Sequence, residues 1–249
     1  MSYETEFVNE VLKNTQYENK AKPQERRLSG SSYDLEPMQH YLKWKYGDLD
    51  KENEITASTI GSVFHHGMEK IFSNNPQYET EKSLEKVLPN GWLITGSIDL
   101  IDLKNKVVID HKLVAGGTAK KIKNKEVYIS QLSIYRWLVG SDYTAAIALA
   151  NKAGSAVRND QYEIVDITDD LWSYDETEEI LIDKINEIEA MIEDPSLATC
   201  DMYRYGRSKD KTPNACKFYC QFGGSNPVCP IFQNQLGISN HFATNNLLM

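Results

Sequence analysis

The middle of the chain contains the feature that most constrains its fold, a pair of apolar segments joined by a short connection. The segments are 92–102 (WLITGSIDLID) and 107–114 (VVIDHKLV), and four residues separate them. Alternating apolar residues and β-branched runs are typical of strands, and a connection this short joins antiparallel neighbours. The pattern predicts a β-hairpin with Lys104 and Asn105 at its turn.

This turn determines which residues of the two strands face each other. It pairs Asp99 with Asp110, and the Cβ atoms of directly opposite residues are roughly 4.5 to 5.5 Å apart. Two like charges at that distance destabilise the pair unless a cation neutralises them. Lys112 lies two residues after Asp110 and therefore on the same face, whereas the side chain of His111 points to the other face. The hairpin thus predicts two carboxylates and an ammonium group at one place.

These three groups suit metal-dependent hydrolysis. Carboxylate oxygens select Mg²⁺ or Mn²⁺, and the cation lowers the pKa of a bound water so that hydroxide is available near neutral pH. Lys112 would activate that water and stabilise the charge that develops on a phosphate. The residues alone leave an alternative open, in which Asp99, Asp110 and Lys112 are solvated polar residues of an ordinary hairpin.

Helices and further strands are predicted on either side of the hairpin. The preceding helix has apolar residues at helical spacing, namely Ile60, Phe64, Met68 and Ile71. After the hairpin, the pattern indicates a helix at 129–140, strands at 145–150 and 162–167, and a last helix that ends before Pro195. This order of elements predicts an α/β fold.

The hairpin segment 96–112 (GSIDLIDLKNKVVIDHK) resembles the core of the PD-(D/E)XK nuclease superfamily. The resemblance makes Asp99 the first motif carboxylate, Asp110 the (D/E) residue and Lys112 the motif lysine. It also implies that the main-chain carbonyl of His111 is a metal ligand.

Two flanking motifs resemble the RecB-like branch of that superfamily. Segment 61–69 (GSVFHHGME) is similar to its G-x-x-x-H motif, and this similarity makes His65 a metal-ligand histidine. Gln131 and Tyr135 resemble its Q-x-x-x-Y motif, and their spacing of four puts both on one helix face, next to the site. The motifs occur in the family's order, so together they are more specific than any one of them.

The resemblance implies both a fold and an activity. The fold is a restriction-endonuclease-like core, with a central mixed β-sheet flanked by helices and a small cysteine-containing C-terminal segment. The activity is hydrolysis of DNA phosphodiesters by a metal-bound hydroxide, with exonuclease favoured over endonuclease, as in phage-type or CRISPR-associated exonucleases. Two rivals stay open: a catalytically inactive nuclease-fold module that binds DNA or a protein, and a zinc-ribbon scaffold whose hairpin acids are incidental.

The cysteines form a separate group near the end of the chain. There are four, at Cys200, Cys216, Cys220 and Cys229. This distribution is unlike that of a disulfide-stapled secreted domain and favours a local metal site, for which zinc and iron-sulfur both stay open. Several RecB-like nucleases hold a 4Fe-4S cluster with one cysteine before the nuclease core and three after it. The last three cysteines resemble that trailing group, and Cys200 would then be the fourth ligand.

Charge and hydropathy narrow the class of protein further. The net charge of −9 excludes a uniformly basic nucleic-acid coat, but five lysines and no acid lie from Lys112 to Lys125. These lysines would line the path of DNA, together with a second basic group at Arg204, Arg207, Lys209 and Lys211. No segment approaches the roughly 18 apolar residues of a membrane span. We therefore expect a cytoplasmic bacterial or phage-encoded protein that binds DNA, and a homo-oligomer or a recombination or replication partner is compatible with the sequence.

These elements and motifs divide the chain into four expected parts. They are an N-terminal arm with an entry helix (1–55), a nuclease core (56–195), a cysteine-rich metal-binding segment (196–235) and a polar tail (236–249). The core is the part that the resemblance covers.

Overall fold

The structure is a computed structural model that describes residues 20–49, 57–114, 122, 125–151, 162–201, 220–223 and 228–235. These residues belong to two compact units. The first unit contains 26–34 and the described chain from 57 to 185, and the second contains 20–25, 35–49 and the described chain from 186 onward. The division into arm, core, cysteine segment and tail stays a prediction.

The described residues form six strands and five α-helices. In chain order these are β1 (Arg27–Ser29), α1 (Pro37–Tyr46), α2 (Ala57–Phe72), β2 (Tyr78–Val87), β3 (Leu93–Asp102), β4 (Val107–Val114), α3 (Glu126–Val139), β5 (Thr144–Asn151), β6 (Tyr162–Asp166), α4 (Tyr174–Glu193) and α5 (Pro230–Gln235). The helices predicted at 129–140 and before Pro195 correspond to α3 and α4. None of the five helices has the length and apolarity that a membrane span requires.

All six strands belong to one mixed sheet in the first unit. Its main order is β1-β3-β4-β5-β6, and β2 also pairs with β3. The β1–β3 and β4–β5 pairs are parallel, and the other three pairs are antiparallel. A parallel pair of consecutive strands needs a crossover connection, and α3 lies in the one between β4 and β5. The predicted α/β fold with a central mixed sheet is confirmed.

Helices α2 and α3 lie on opposite faces of this sheet. Successive residues of a strand point to opposite faces. On β4, the carboxylate of Asp110 contacts Gln131 of α3, whereas the ring of His111 stacks on Phe72 of α2. The prediction that His111 points away from the face of Asp110 is therefore confirmed, and so are the flanking helices.

The sheet divides at the middle of β3. β2 occupies one edge of β3 and pairs with every residue of 93–102 except Asp99. A strand has only two edges, so β1, which pairs with 93–95, and β4, which pairs with 100–102, must share the other edge. Between them, residues 96–99 have no strand partner on that edge among the described residues. We call this opening the fork, and Asp99 lies where it begins.

The predicted hairpin is present as β3 and β4, with the predicted register. Leu100 pairs with Ile109, as a turn at Lys104 and Asn105 requires. The ladder ends there, one position before the expected pair of aspartates. At that position the backbone N–H of His111 donates a hydrogen bond to the Asp99 carboxylate at 2.7 Å. The strands therefore separate where their acidic residues begin.

Asp102 closes the hairpin turn. Its buried carboxylate accepts hydrogen bonds from the backbone N–H groups of Lys104 and Asn105, at 3.0 and 2.9 Å. The side chains of Asn105 and Gln77 donate to the same carboxylate. A buried carboxylate is tolerated when its oxygens are hydrogen-bonded in this way. This third acidic residue of the hairpin is therefore structural.

The apolar core of the first unit lies between the sheet and α3. It contains buried residues of β3, β4, β5 and α3, among them Ile98, Val108, Ile147 and Leu132. Burial of each such side chain stabilises the fold by about 1.5–3 kcal/mol. Helix α3 approaches closely because a glycine faces it: a Cβ on Gly96 would lie only 2.9 Å from the ring of Tyr135.

The face that α2 presents to the sheet differs from the prediction. Ile60 and Ile71, expected on the apolar face, are 51% and 68% exposed. Phe64 and Phe72 instead contact the ring of His111, with centroid separations of 6.3 and 6.2 Å. Apolar spacing establishes that a helix forms, but contact with the neighbouring strand decides which stripe faces inward.

Strands β1 and β2 are absent from the sequence-based prediction. β1 has only three residues. β2 (YETEKSLEKV) has no fully buried residue, so it lacks the apolar alternation that identifies a half-buried strand. Its antiparallel pairing with β3, which is interrupted at Asp99, stabilises it as a strand.

Candidate active site

Polar side chains from five elements meet at the fork. They are His65 of α2, Glu81 of β2, Asp99 of β3, Asp110 and Lys112 of β4, and Gln131 and Tyr135 of α3. Helix α2 supplies its histidine from one face of the sheet, and α3 supplies its glutamine from the other. The fork is therefore the place where groups from both faces come together.

Asp99 is the central carboxylate of this group. Its Oδ1 lies 3.3 Å from Nδ1 of His65, and its Oδ2 accepts the hydrogen bond from the backbone of His111. Burial alone would raise the pKa of Asp99, but the His65 contact, the charge of Lys112 and the backbone N–H outweigh it and lower this pKa. The hydrogen bond to Asp99 in turn raises the pKa of His65. Each partner thus favours the charged form of the other.

Asp110 is held by a different set of partners. It is 2% exposed, and its Oδ1 accepts hydrogen bonds from Nζ of Lys112 at 2.8 Å and from Nε2 of Gln131 at 3.2 Å. Burial raises the pKa of Asp110 to about 6; the Lys112 charge opposes this rise and the Asp99 charge adds to it. The same ammonium lies 2.8 Å from Oδ2, but this oxygen has no hydrogen bond among the described residues.

Lys112 is an ammonium group at neutral pH. Burial alone would lower its pKa, but attraction to Asp110 and then to Asp99 outweighs burial and raises it. The ring of Tyr128 lies 5.6 Å from its Nζ. A permanently charged donor at this place can bind an anionic group, and it cannot accept a proton.

The two residues of the predicted Q-x-x-x-Y motif are both at the site. Nε2 of Gln131 bridges Asp110 and the hydroxyl of Tyr135, which is 3.0 Å away. Tyr135 is 3% exposed, and its ring packs on Gly30 and Gly96. The tyrosine therefore holds the glutamine in place instead of facing solvent.

The compact set of candidate metal ligands contains one residue that the sequence did not indicate. Ligand atoms of His65, Glu81 and Asp99 all lie within 4.8 Å of one another. The sequence predicts His65 and Asp99 with Asp110 and the His111 carbonyl, and the roles of these four as ligands stay predictions. An imidazole with carboxylate oxygens suits a divalent cation, and the unbonded Oδ2 of buried Asp110 is a further available donor.

Glu81 reaches the site from the middle of β2. Its neighbours Thr80 and Lys82 pair with Leu100 and Ile98, so Glu81 occupies the position opposite Asp99. Burial, and then the negative charge of Asp99, raise the pKa of Glu81. A charged strand without apolar alternation gives no signal for this position, and only the register of β2 on β3 reveals it.

The side chain of His111 lies away from the carboxylates. It is buried against the rings of Phe64 and Phe72, and its centroid is 6.4 Å from that of His65. Burial lowers its pKa, so the ring is neutral. Its packing anchors α2, and with it His65, on the sheet.

Three of the four cysteines lie among the described residues, all in the second unit. Cys200 and Cys220 are half-buried and Cys229 is buried, and none of the three forms a disulfide with a described residue. Burial raises the pKa of Cys229, whereas the backbone N–H groups of Phe232 and Ile231 oppose this rise. Cys216 and the basic residues Arg204, Arg207, Lys209 and Lys211 lie outside the described residues. The cysteine metal site stays a prediction.

Comparison with known proteins supports the fold. No protein-family model matches the chain, and no curated protein matches it. Among solved structures, SSO0001 is 17% identical over 93% of this chain and 98% of its own, with a TM-score of 0.57. This value indicates the same overall fold.

Two further structures are more distant. An alkaline exonuclease (LHK-Exo) from Laribacter hongkongensis is 16% identical over 70% of this chain and 93% of its own, with a TM-score of 0.45. A phage-related exonuclease from Haemophilus somnus 129PT is 14% identical over 68% of this chain and 95% of its own, with a TM-score of 0.38. Similarity at this level does not bear on activity, which has to be argued from the site.

Proposed function

We propose that this protein is a divalent-cation-dependent nuclease that hydrolyses phosphodiester bonds of DNA, with exonuclease favoured over endonuclease. The observation that supports it is the meeting of His65, Asp99, Asp110 and Lys112 at the fork, although 47 positions separate the first of them from the last. A buried carboxylate (Asp110) and a half-buried one (Asp99) beside a lysine are costly for a fold unless they bind something. A cation and an anionic phosphate are the ligands that match these charges.

His65, Asp99 and Asp110 would hold Mg²⁺ or Mn²⁺. When bound, such a cation supplies a Lewis acid that polarises a phosphate oxygen and acidifies a water. The chain's own residues supply orientation. Asp99 holds the imidazole of His65 by its Nδ1, and Gln131 holds the carboxylate of Asp110.

Lys112 would bind and stabilise the phosphate. Its raised pKa keeps the ammonium protonated at neutral pH, so it acts as a hydrogen-bond donor and a positive charge. Placed beside Asp110, it would lie next to the bond that breaks and stabilise the negative charge that develops there. This role differs from the activation of water that the sequence suggested for the same residue.

Release of nucleotides from labelled DNA tests the proposal. Linear single-stranded and double-stranded DNA and closed circular DNA are incubated with the protein and Mg²⁺ or Mn²⁺. We expect metal-dependent nucleotide release from linear DNA, lowered at least about 100-fold by Asp110→Ala and by Lys112→Ala. Lys104→Ala is the matched control, because Lys104 is an exposed lysine at the turn of the same hairpin.

Two results would contradict this proposal in different ways. Cleavage of closed circular DNA at the rate of linear DNA would exclude exonuclease action as the main activity. Undiminished DNA binding without nucleotide release at any metal concentration would favour the alternative, a catalytically inactive nuclease-fold module.

We further propose that the four cysteines bind a 4Fe-4S cluster, with Zn²⁺ as the alternative. The three described cysteines belong to one compact unit, and two backbone N–H groups point at the sulfur of Cys229, as is common around thiolate ligands. Brown protein that contains iron after anaerobic purification would support the cluster. Colourless protein that contains zinc would support the alternative, and absence of both metals would exclude the site.

A further inference from the structure

We propose that Glu81 is a ligand of the cation in the candidate active site, together with His65 and Asp99. The inference deepens the proposed function, on which its catalytic meaning rests. The ligand set that we infer is centred on Asp99 and extends to β2, on the side of β3 away from β4. Asp110, which the proposed function also assigns to the cation, lies on the other side of Asp99, next to Lys112 and Gln131.

The distances are those of a cation site. Ligand atoms of His65, Glu81 and Asp99 lie within 4.8 Å of one another. Two oxygens that bind one Mg²⁺ at about 2.1 Å are at most about 4.2 Å apart. Adjacent ligands of such an ion are about 3.0 Å apart, so movements of at most about 2 Å, shared between two side chains, convert the present arrangement into a coordinating one.

Glu81 has no competing partner in the described part of the chain. Asp99 is engaged by His65 and by a backbone N–H, and Asp110 is engaged by Lys112 and Gln131. No described residue forms an ion pair or a hydrogen bond with the carboxylate of Glu81. The half-buried carboxylate of Glu81 and the carboxylate of Asp99 repel each other when both are ionised, and a cation that binds both removes the repulsion.

A second, independent observation points to a ligand at this place. The Oδ2 atom of Asp110 is buried and has no hydrogen bond among the described residues, although Asp110 is close enough to Asp99 and His65 to be affected by their charges. The ammonium of Lys112 lies 2.8 Å from this oxygen and donates its hydrogen bond to Oδ1, so Oδ2 keeps a lone pair for a further partner. A cation on Asp99 supplies that partner.

The backbone at Glu81 allows a purely structural alternative to be tested. Its φ is +47° in the middle of a strand, a left-handed conformation that is unfavourable for residues with a Cβ and free for glycine. If Glu81 had only a structural role, Glu81→Gly would relieve the conformation and leave cation binding unchanged. If Glu81 is a ligand, the same change stabilises the cation-free protein and weakens cation binding.

Mn²⁺ titration of the full chain without DNA tests the inference. Isothermal titration calorimetry and Mn²⁺ electron paramagnetic resonance measure Kd for the wild type, Glu81→Gln, Glu81→Gly and the control Glu85→Gln. Glu85 is an exposed glutamate on the same strand, four residues away. We expect Mn²⁺ binding to weaken at least about tenfold in both Glu81 variants and to be unchanged in Glu85→Gln, since removal of even outer partners of a metal costs 10-fold or more.

Thermal unfolding in EDTA shows that the variants are folded, and Glu81→Gly is expected to melt above the wild type. Wild-type affinity for Mn²⁺ in both Glu81 variants, or no binding by the wild type, would overturn the inference. Failure of the nuclease proposal gives a different result: Glu81-dependent Mn²⁺ binding with no release of nucleotides. If nucleotides are released and the Glu81 variants bind Mn²⁺ normally, only the Glu81 inference fails.

Discussion

Replacement of Asp110 by asparagine is expected to stabilise the cation-free protein at neutral pH. The side chain is 2% exposed, and burial raises its pKa from the ordinary 3.8 to about 6. Between these two pH values the folded protein holds more protons at this residue than the unfolded chain does. The free energy of unfolding therefore falls as the pH rises through this window, because stability rises with pH only where the unfolded state binds more protons.

The magnitude follows from the difference between the two pKa values. Each unit corresponds to about 1.4 kcal/mol, so ionisation of Asp110 destabilises the cation-free fold by about 3 kcal/mol above pH 6. Asparagine has nearly the same shape and never ionises. The stability of Asp110→Asn relative to the wild type should thus grow by about 2.4 kcal/mol between pH 4 and pH 7.

Urea unfolding in EDTA, followed by tryptophan fluorescence at several pH values, measures this difference. The comparison with the wild type removes the titrations that both proteins share, except for His65 and Asp99, whose pKa values the charge of Asp110 also influences. Asp169→Asn, at an exposed aspartate on a short helical turn, is the control and should show no such trend. Addition of Mn²⁺ should reverse the order, because a cation at about 1,000 times its Kd stabilises the wild type by about 4.1 kcal/mol.

A difference between Asp110→Asn and the wild type that stays constant from pH 4 to pH 7 would refute this reasoning. It would mean that Asp110 ionises as easily in the fold as in water. A variant that is less stable than the wild type at neutral pH in EDTA would refute it too, because the attraction to Lys112 would then exceed the cost of burial.

Three further predictions concern the fold and the electrostatics of the site. Gly96→Ala places a Cβ 2.9 Å from Tyr135 and should destabilise the fold by about 1–3 kcal/mol in urea unfolding, whereas Gly67→Ala, in open space on α2, should stabilise it by about 0.5–1 kcal/mol. Asp102→Ala removes the acceptor of the turn N–H groups and should cost about 1–3 kcal/mol in the same assay. Asp99→Asn should lower the pKa of His65, measured by NMR titration of its ring protons in EDTA.

Each of these predictions has an opposite outcome. Equal effects of the two glycine substitutions would mean that helix α3 does not pack on Gly96. If Asp102→Ala has the stability of the wild type, the turn N–H groups are hydrogen-bonded to water as well as they are to Asp102. An equal pKa of His65 in the wild type and in Asp99→Asn would mean that the two side chains do not interact as the structure shows.

The hairpin is the part of this protein that the sequence predicts best. Its strands, its turn and the pairing of Leu100 with Ile109 follow from apolar alternation and a short connection. These are local properties, because side chains alternate between faces with a period of two residues. The same arithmetic predicts that Asp99 lies directly opposite Asp110, but the ladder ends one position earlier, and Asp99 instead accepts a hydrogen bond from the backbone N–H of His111.

Helix α2 shows what a local sequence pattern cannot predict, namely which side of a helix faces the sheet. The spacing of Ile60, Phe64, Met68 and Ile71 predicts a helix, and α2 forms there. The pattern does not show that Phe64 faces inward while Ile60 is exposed, because several stripes of α2 are apolar. The packing of Phe64 and Phe72 on His111 selects the stripe, and this contact joins residues about 40 or more positions apart.

The sequence by itself determined the hairpin, the α/β class and the side chains of the expected nuclease motifs, since each depends on spacing within a short segment. Only the tertiary structure decided that β2 pairs with β3, that the sheet divides at Asp99, and that Glu81 stands opposite that aspartate. The physical reason is that β2 has no fully buried residue, so no apolar pattern marks its register. Its position is determined by the hydrogen bonds that it shares with a strand elsewhere in the chain.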